Sequence, residues 1–149
     1  DISDAFIDAA KQTPMPDTMR FYRGDFNHLD RIEELAGQSF DLVVCVQVMG
    51  FANEPAEVLR AMAGLLAPSG RIVLQTPSPF RFAIDKSERF DLPIGAAYRM
   101  SPMISYQSGW NPEVILEHRT PKISETLNAF AAAGLYISRC DEPDLPLEA

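Results

Sequence analysis

The stretch that most constrains the fold is Phe40-Asp41-Leu42-Val43-Val44-Cys45-Val46, in which every residue after Asp41 is apolar and most are β-branched. A strand with one wet face alternates apolar with polar residues. A continuous run like this one is what a strand covered on both faces needs. Downstream, Asn53-Glu54-Pro55 supplies a capping side chain and then a proline at the first helical turn, where no N–H partner is lost. Val58, Leu59, Met62, Leu65 and Leu66 follow at helical spacing. Pro68-Ser69-Gly70 turns the chain, and Arg71-Ile72-Val73-Leu74-Gln75-Thr76 reads as a second strand. A helix joining two buried strands through loops this short is a β-α-β unit, and that requires a parallel pair.

The remaining segments extend the alternation. Residues 3–11 read as a helix with Ser3 as N-cap, Asp4 at the positive end of the dipole, and Phe6, Ile7 and Ala10 on one face. Pro14 and Pro16 place a loop next. Met19–Arg23 alternates as a short strand and stops at Gly24-Asp25, while Asn27 to Gly37 reads as a short helix with its turns. From Pro77 to Thr120 no period holds, which predicts a long irregular insert with one short helix. Ile123 to Ala133 is helical again, stopped by Gly134, and Leu135–Cys140 alternates as a last strand. The expected class is therefore α/β: a three-layer, Rossmann-like sandwich with a mostly parallel sheet. Residues 1–149 are expected to form a single domain with an irregular insert or lid at 79–118.

Composition excludes several classes. The longest run without a polar side chain is Ala129–Ile137, well short of the ~20 residues a membrane span needs. Thirteen basic against 21 acidic residues give a net charge of −8, which argues against a protein that grips nucleic acid through bulk charge. Cys45 and Cys140 lack metal-ligand spacing and lie in apolar stretches, so both read as buried thiols of a reducing, cytoplasmic compartment, with no metal expected. No basic-then-apolar leader opens the sequence, so no secretory signal is expected.

In parallel α/β sheets ligands sit outside the carboxyl ends of the strands. Here those ends are Asp1-Ile2 before the first helix, Gly24-Asp25-Phe26, Cys45-Val46-Gln47, and Thr76-Pro77-Ser78. Two carboxylates at neighbouring strand ends suit a nucleoside. One can accept both ribose hydroxyls, the other an exocyclic amine, and Phe26 can pack on the base. The plainer reading is that Asp follows strands because its side chain caps turns and helix starts.

The ordered series Phe40–Cys45, Pro55-x-x-Val58-Leu59-Arg60 and Leu65-Leu66-Ala67-Pro68-Ser69-Gly70-Arg71-Ile72-Val73-Leu74 resembles the class I S-adenosylmethionine-dependent methyltransferases of small molecules. Within that resemblance Asp1-Ile2 matches the end of the second strand, whose acid holds the ribose. Gly24-Asp25-Phe26 matches the end of the third, where Asp binds the adenine amine. His118-Arg119-Thr120 and the helix to Gly134 match the approach to a late helix. The resemblance implies S-adenosyl-L-methionine as cofactor, with Asp1, Ile2, Gly24, Asp25, Phe26, Cys45, Val46 and Gln47 around it. The family's glycine-rich turn after its first strand is not in this chain, so the fold is expected to be incomplete at the N-terminus.

Methyl transfer from a sulfonium is an in-line displacement that needs alignment and exclusion of water, plus one base if the acceptor is a hydroxyl or amine. His118 is the candidate base, since its ordinary pKa of ~6.5 suits the task. A structural histidine before a helix is the bland alternative. His28 reads as solvated, Glu117 as a surface acid, and Cys45 as packing rather than a reactive thiol. Phe80, Tyr106 and Trp110 are the candidate substrate contacts, in an aromatic insert that can instead face the core or a second copy in a homodimer. Arg81, Arg89 and Arg99 stand beside Asp85, Glu88 and Asp91 and read as surface ion pairs. The expected function is methylation of a small aromatic or apolar molecule, with no nucleic acid and no membrane partner. The alternative is a methyltransferase-like binding or scaffold domain without catalysis. A nicotinamide dehydrogenase ranks last, because its glycine-rich fingerprint is missing.

Overall fold

The computed structural model describes residues 1–100, 103–108 and 111–142. Its centre is the β-α-β unit. Strand β1 (Phe40–Val46) pairs in parallel with β2 (Leu66–Gln75), and helix α2 (Pro55–Gly64) crosses between them. The register is regular from Leu42↔Arg71 to Val46↔Gln75 and breaks between Phe40 and Leu42, where Pro68-Ser69-Gly70 adds residues to β2 only. Gly70 is needed at that break, because a Cβ there would stand 2.7 Å from the Phe40 carbonyl oxygen. Helix α2 starts one residue later than its sequence suggests. Glu54, not Asn53, is the N-cap, and it makes no side-chain cap bond.

The core is one-sided. Val58 and Met62 of α2 pack with Cys45 and Ala52, joined by Phe26, Leu29, Val43, Met49, Ile72 and Leu74. On β1 only Val43 and Cys45 point into this cluster. Leu42, Val44 and Val46 lie on the other face and are about half exposed. The expectation of a strand covered on both faces is thus met on one.

Helix α1 (Asp4–Gln12) forms as read, with Ser3 Oγ accepting from Phe6 N. Residues 19–23 do not form a strand. Residues 26–35 form two short 3-10 turns, Phe26–Arg31 and Glu33–Leu35, rather than an α-helix. Residues 135–140 carry no ladder either, and Cys140 is exposed rather than buried. The described sheet of the β-α-β unit therefore has two parallel strands instead of the broad sheet expected. Alternation alone does not make a strand; it needs a neighbour to complete the ladder.

The insert is more ordered than its irregular pattern implies. It folds as α3 (Pro79–Phe90), α4 (Ile94–Arg99) and an antiparallel hairpin of β3 (Met103–Gln107) and β4 (Ile115–Arg119). Ser78 caps α3 through Phe80 N, and Asp91, in the left-handed region, ends it. Helix α5 (Ile123–Ala132) is the last element among the described residues. Its first turn is satisfied by Glu125, which accepts from Lys122 N, and by the Tyr98 hydroxyl, which accepts from Ile123 N. Its end is a Schellman turn: Leu135 N donates to Phe130 O and Gly134 N to Ala131 O, with Gly134 at φ +75°. Arg60 of α2 donates to Ala132 O and ties the two helices. No helix of the described residues is long and apolar enough to cross a membrane.

Candidate functional site

Asp1 lies beside the segment that ends at Asp25. Asp1 N donates to Tyr22 O (3.3 Å) and Gly24 N to Asp1 O (2.9 Å), the bond pattern of a parallel ladder centred on Asp1 and Arg23. Arg23 reinforces it with an ion pair to Asp4 at 3.1 Å. A side chain on Gly24 would collide with the Ile32 side chain, so glycine lets Ile32 pack against this backbone. Each acid also serves its own turn. Asp1 Oδ1 accepts from Ser3 N (2.8 Å), and Asp25 Oδ1 accepts from Asn27 N (2.8 Å) as the N-cap of the 3-10 turn. The capping geometry is real, and it leaves Oδ2 of each acid outside those bonds.

The other expected cofactor contacts divide. Phe26 is partly buried and packs on the core cluster. Ile2 is exposed. Cys45 is buried in the same core, and burial pushes its thiol above the ordinary range, so it stays protonated and packs. Val46 is exposed on the open face of β1. Gln47 has φ +60° at the strand end, where its N–H still reaches Gln75 O at 2.9 Å. A left-handed non-glycine residue there costs about 1–3 kcal/mol and is held by its surroundings.

His118 sits at the other end of the site. It lies on β4 opposite Ile104, with only 5% of its surface exposed. Ile104, Tyr106, Leu116 and His118 share one face of the hairpin, since direct partners and alternate residues point the same way. The imidazole lies between Phe51, edge-on with centroids 5.1 Å apart, and Phe82, tilted at 5.1 Å. It rests on Gly50, where any Cβ would overlap Nε2, Cε1 and Cδ2. Nδ1 is buried without a hydrogen-bond partner, as is Thr120 Oγ1. Burial lowers the His118 pKa, and the Arg119 backbone opposes this more weakly, so the ring is neutral at pH 7.

That shift has a sign. The unfolded ring binds a proton at a higher pH than the folded one, so its contribution to stability is present above about pH 6.5 and lost as pH falls through the lower folded value. Denaturant melts between about pH 5 and 8 are expected to show unfolding free energy rising with pH. The His118→Gln variant should flatten that rise.

Two groups without a sequence signal complete the site. Arg119 donates to Ala52 O (3.3 Å) and Asn53 O (2.8 Å), clamping the hairpin onto the segment between β1 and α2. Asn27 joins that segment to Asp25: its Oδ1 accepts from Asn53 N (2.7 Å) and its Nδ2 donates to Phe51 O (3.4 Å). Sequence reasoning misses both, because they act on backbone groups far along the chain. Of the substrate candidates, Tyr106 is partly exposed on the face of His118. Phe80 instead stacks on Tyr98, with centroids 5.9 Å apart. Trp110 lies outside the described residues. His28 is half-buried rather than solvated. The surface pairing is real for Arg81, which meets Asp85 at 3.1 Å.

Residues 1–72, which carry Asp1, Asp25, β1, α2 and the first regular turns of β2, match the family model described as methyltransferase domain. Over these residues the chain is similar to methyltransferase domains. A ubiquinone biosynthesis O-methyltransferase of Xanthomonas euvesicatoria pv. vesicatoria (strain 85-10) is 34% identical over 64 residues, covering 38% of this chain and 27% of that protein. The protein of the same name from Marinobacter nauticus (strain ATCC 700491 / DSM 11845 / VT8) is 39% identical over 64 residues, covering 40% and 26%. That of Pseudomonas paraeruginosa (strain DSM 24068 / PA7) is 37% identical over 60 residues, covering 38% and 25%. The chain thus spans about a quarter of the length of these curated relatives.

Proposed function

We propose that this chain is part of a methyltransferase that binds S-adenosylmethionine through Asp1 and Asp25 and methylates a hydroxyl of a small aromatic molecule in the cytoplasm. The observation that supports the reading is the backbone pairing of Asp1 with Arg23, which brings Asp1 alongside the segment that leads into Asp25. The free Oδ2 atoms of the two acids are acceptors, the chemistry a ribose diol and an adenine amine require. When bound, the sulfonium supplies an electrophilic methyl group. The chain's own work is to orient the acceptor and take its proton. His118, neutral at pH 7, is the base, and Tyr106 and Phe82 give the acceptor an aromatic wall. The hydroxyl preference follows the relatives, whose names mark them as O-methyltransferases.

Titration calorimetry with S-adenosylhomocysteine on the native polypeptide tests this. Saturable binding that weakens in Asp25→Asn supports the reading, and no heat at millimolar ligand removes it. His118→Gln should slow turnover with little change in cofactor affinity; unchanged turnover removes His118 from the mechanism. A second reading, a methyltransferase-like binding domain without catalysis, is favoured by the 5% exposure of His118. It expects binding with no turnover on any hydroxylated acceptor.

A further inference from the structure

The two halves of the site are on different parts of the chain, Asp25 before β1 and His118 on the hairpin, yet one side chain ties Asp25 to the segment on which His118 rests. We propose that Asn27 is a positioning residue that couples occupancy at Asp25 to the placement of His118. This rests on the reading of Asp25 as a nucleoside contact.

The geometry is continuous. Asp25 Oδ1 accepts from both the backbone N and Nδ2 of Asn27, the latter at 3.4 Å. The same amide reaches across the chain to the segment between β1 and α2, accepting from Asn53 N and donating to Phe51 O. The amide's orientation is set by chemistry: Asn53 N is a donor and must meet Oδ1, whereas Asp25 Oδ1 and Phe51 O are acceptors and must meet Nδ2. The far side of that segment is the seat of His118, formed by Gly50 beneath the ring and Phe51 at its edge. Arg119, next to His118, holds Ala52 and Asn53 from above. A ligand that draws Asp25 toward itself pulls on Nδ2 of Asn27. Nδ2 is shared with Phe51 O, so the displacement passes to the ring that touches His118. In a close-packed seat the imidazole must follow.

The test follows the His118 ring by ¹H–¹⁵N correlation spectra of the native polypeptide, with the signal assigned by His118→Gln, before and after saturation with S-adenosylhomocysteine. In the wild type the ring signals should move on binding. In Asn27→Ala that movement should fall to under half while binding itself persists. Asn27→Asp keeps the acceptor for Asn53 N but loses both donors and sets a second carboxylate against Asp25, so it is read at saturating ligand, where it should lose the movement too. This second variant keeps the test decisive if the alanine variant folds poorly. A ring movement that survives in Asn27→Asp overturns the coupling, as does wild-type binding with no movement at His118; in both cases the nucleoside site stands. No binding in the wild type overturns the nucleoside reading, and the coupling falls with it.

Discussion

Replacing Gly50 with alanine is expected to lower the unfolding free energy by about 1–3 kcal/mol, the usual cost of forcing a methylene into a packed site. It should also take most of the turnover with it. The reason is local. The new Cβ would occupy the volume of His118 Nε2, Cε1 and Cδ2, and the ring cannot retreat because Phe51 and Phe82 bracket it. The backbone at Gly50 is not in the left-handed region, so the penalty is one of space alone. That distinction gives the measurement. In a double-mutant cycle with His118→Ala, removing the ring should remove most of the Gly50→Ala penalty. Thermal and denaturant melts of the four proteins read the interaction directly, and additive penalties would show that Gly50 matters for something other than seating the histidine.

The second large effect is at Asp25, where two substitutions should behave differently. Asp25→Ala removes the cap on the 3-10 turn as well as the charge, so it should lose about 1 kcal/mol of stability along with ligand affinity. Asp25→Asn keeps an oxygen for Asn27 N and loses the charge. A hydrogen bond to a charged group contributes roughly 1.5–3 kcal/mol. S-adenosylhomocysteine affinity should therefore fall at least about tenfold, while the melting temperature stays within a few degrees of the wild type. Calorimetry and thermal melts on the same samples separate the two roles. Equal affinity in Asp25→Asn and wild type would reduce Asp25 to a cap.

The parts of this molecule that are legible in its sequence are those built from local chemistry. The apolar run of β1, the proline at the start of α2, the Ser3 cap and the glycine stop after α5 each act within a few residues, and each lies where the pattern puts it. The turn-capping roles of Asp1 and Asp25 are legible for the same reason. What the pattern misses depends on partners far along the chain. Residues 135–140 alternate as strands do but have no ladder to join, and residues 19–23 have only the pairing of Arg23 with Asp1. The hairpin of β3 and β4 lacks a tight two-residue turn signal and reads as irregular. Asn27 and Arg119 look like ordinary polar residues until the fold brings Asn53 to both. His118 stands out for its chemistry, but its seat on Gly50 is invisible in the sequence, because a glycine in a loop more often serves a turn than a close contact.

The open face of β1 has a consequence for handling the protein. Leu42, Val44 and Val46 line up on a strand whose outer edge, among the described residues, has no partner. Such an edge can template a copy of itself, and an apolar stripe without a charge to interrupt it favours growth into cross-β stacks. Preparations of residues 1–149 by themselves should lose material to fibrillar aggregates as concentration rises, and Val44→Lys should slow that loss without touching Val43 or Cys45, which hold the other face.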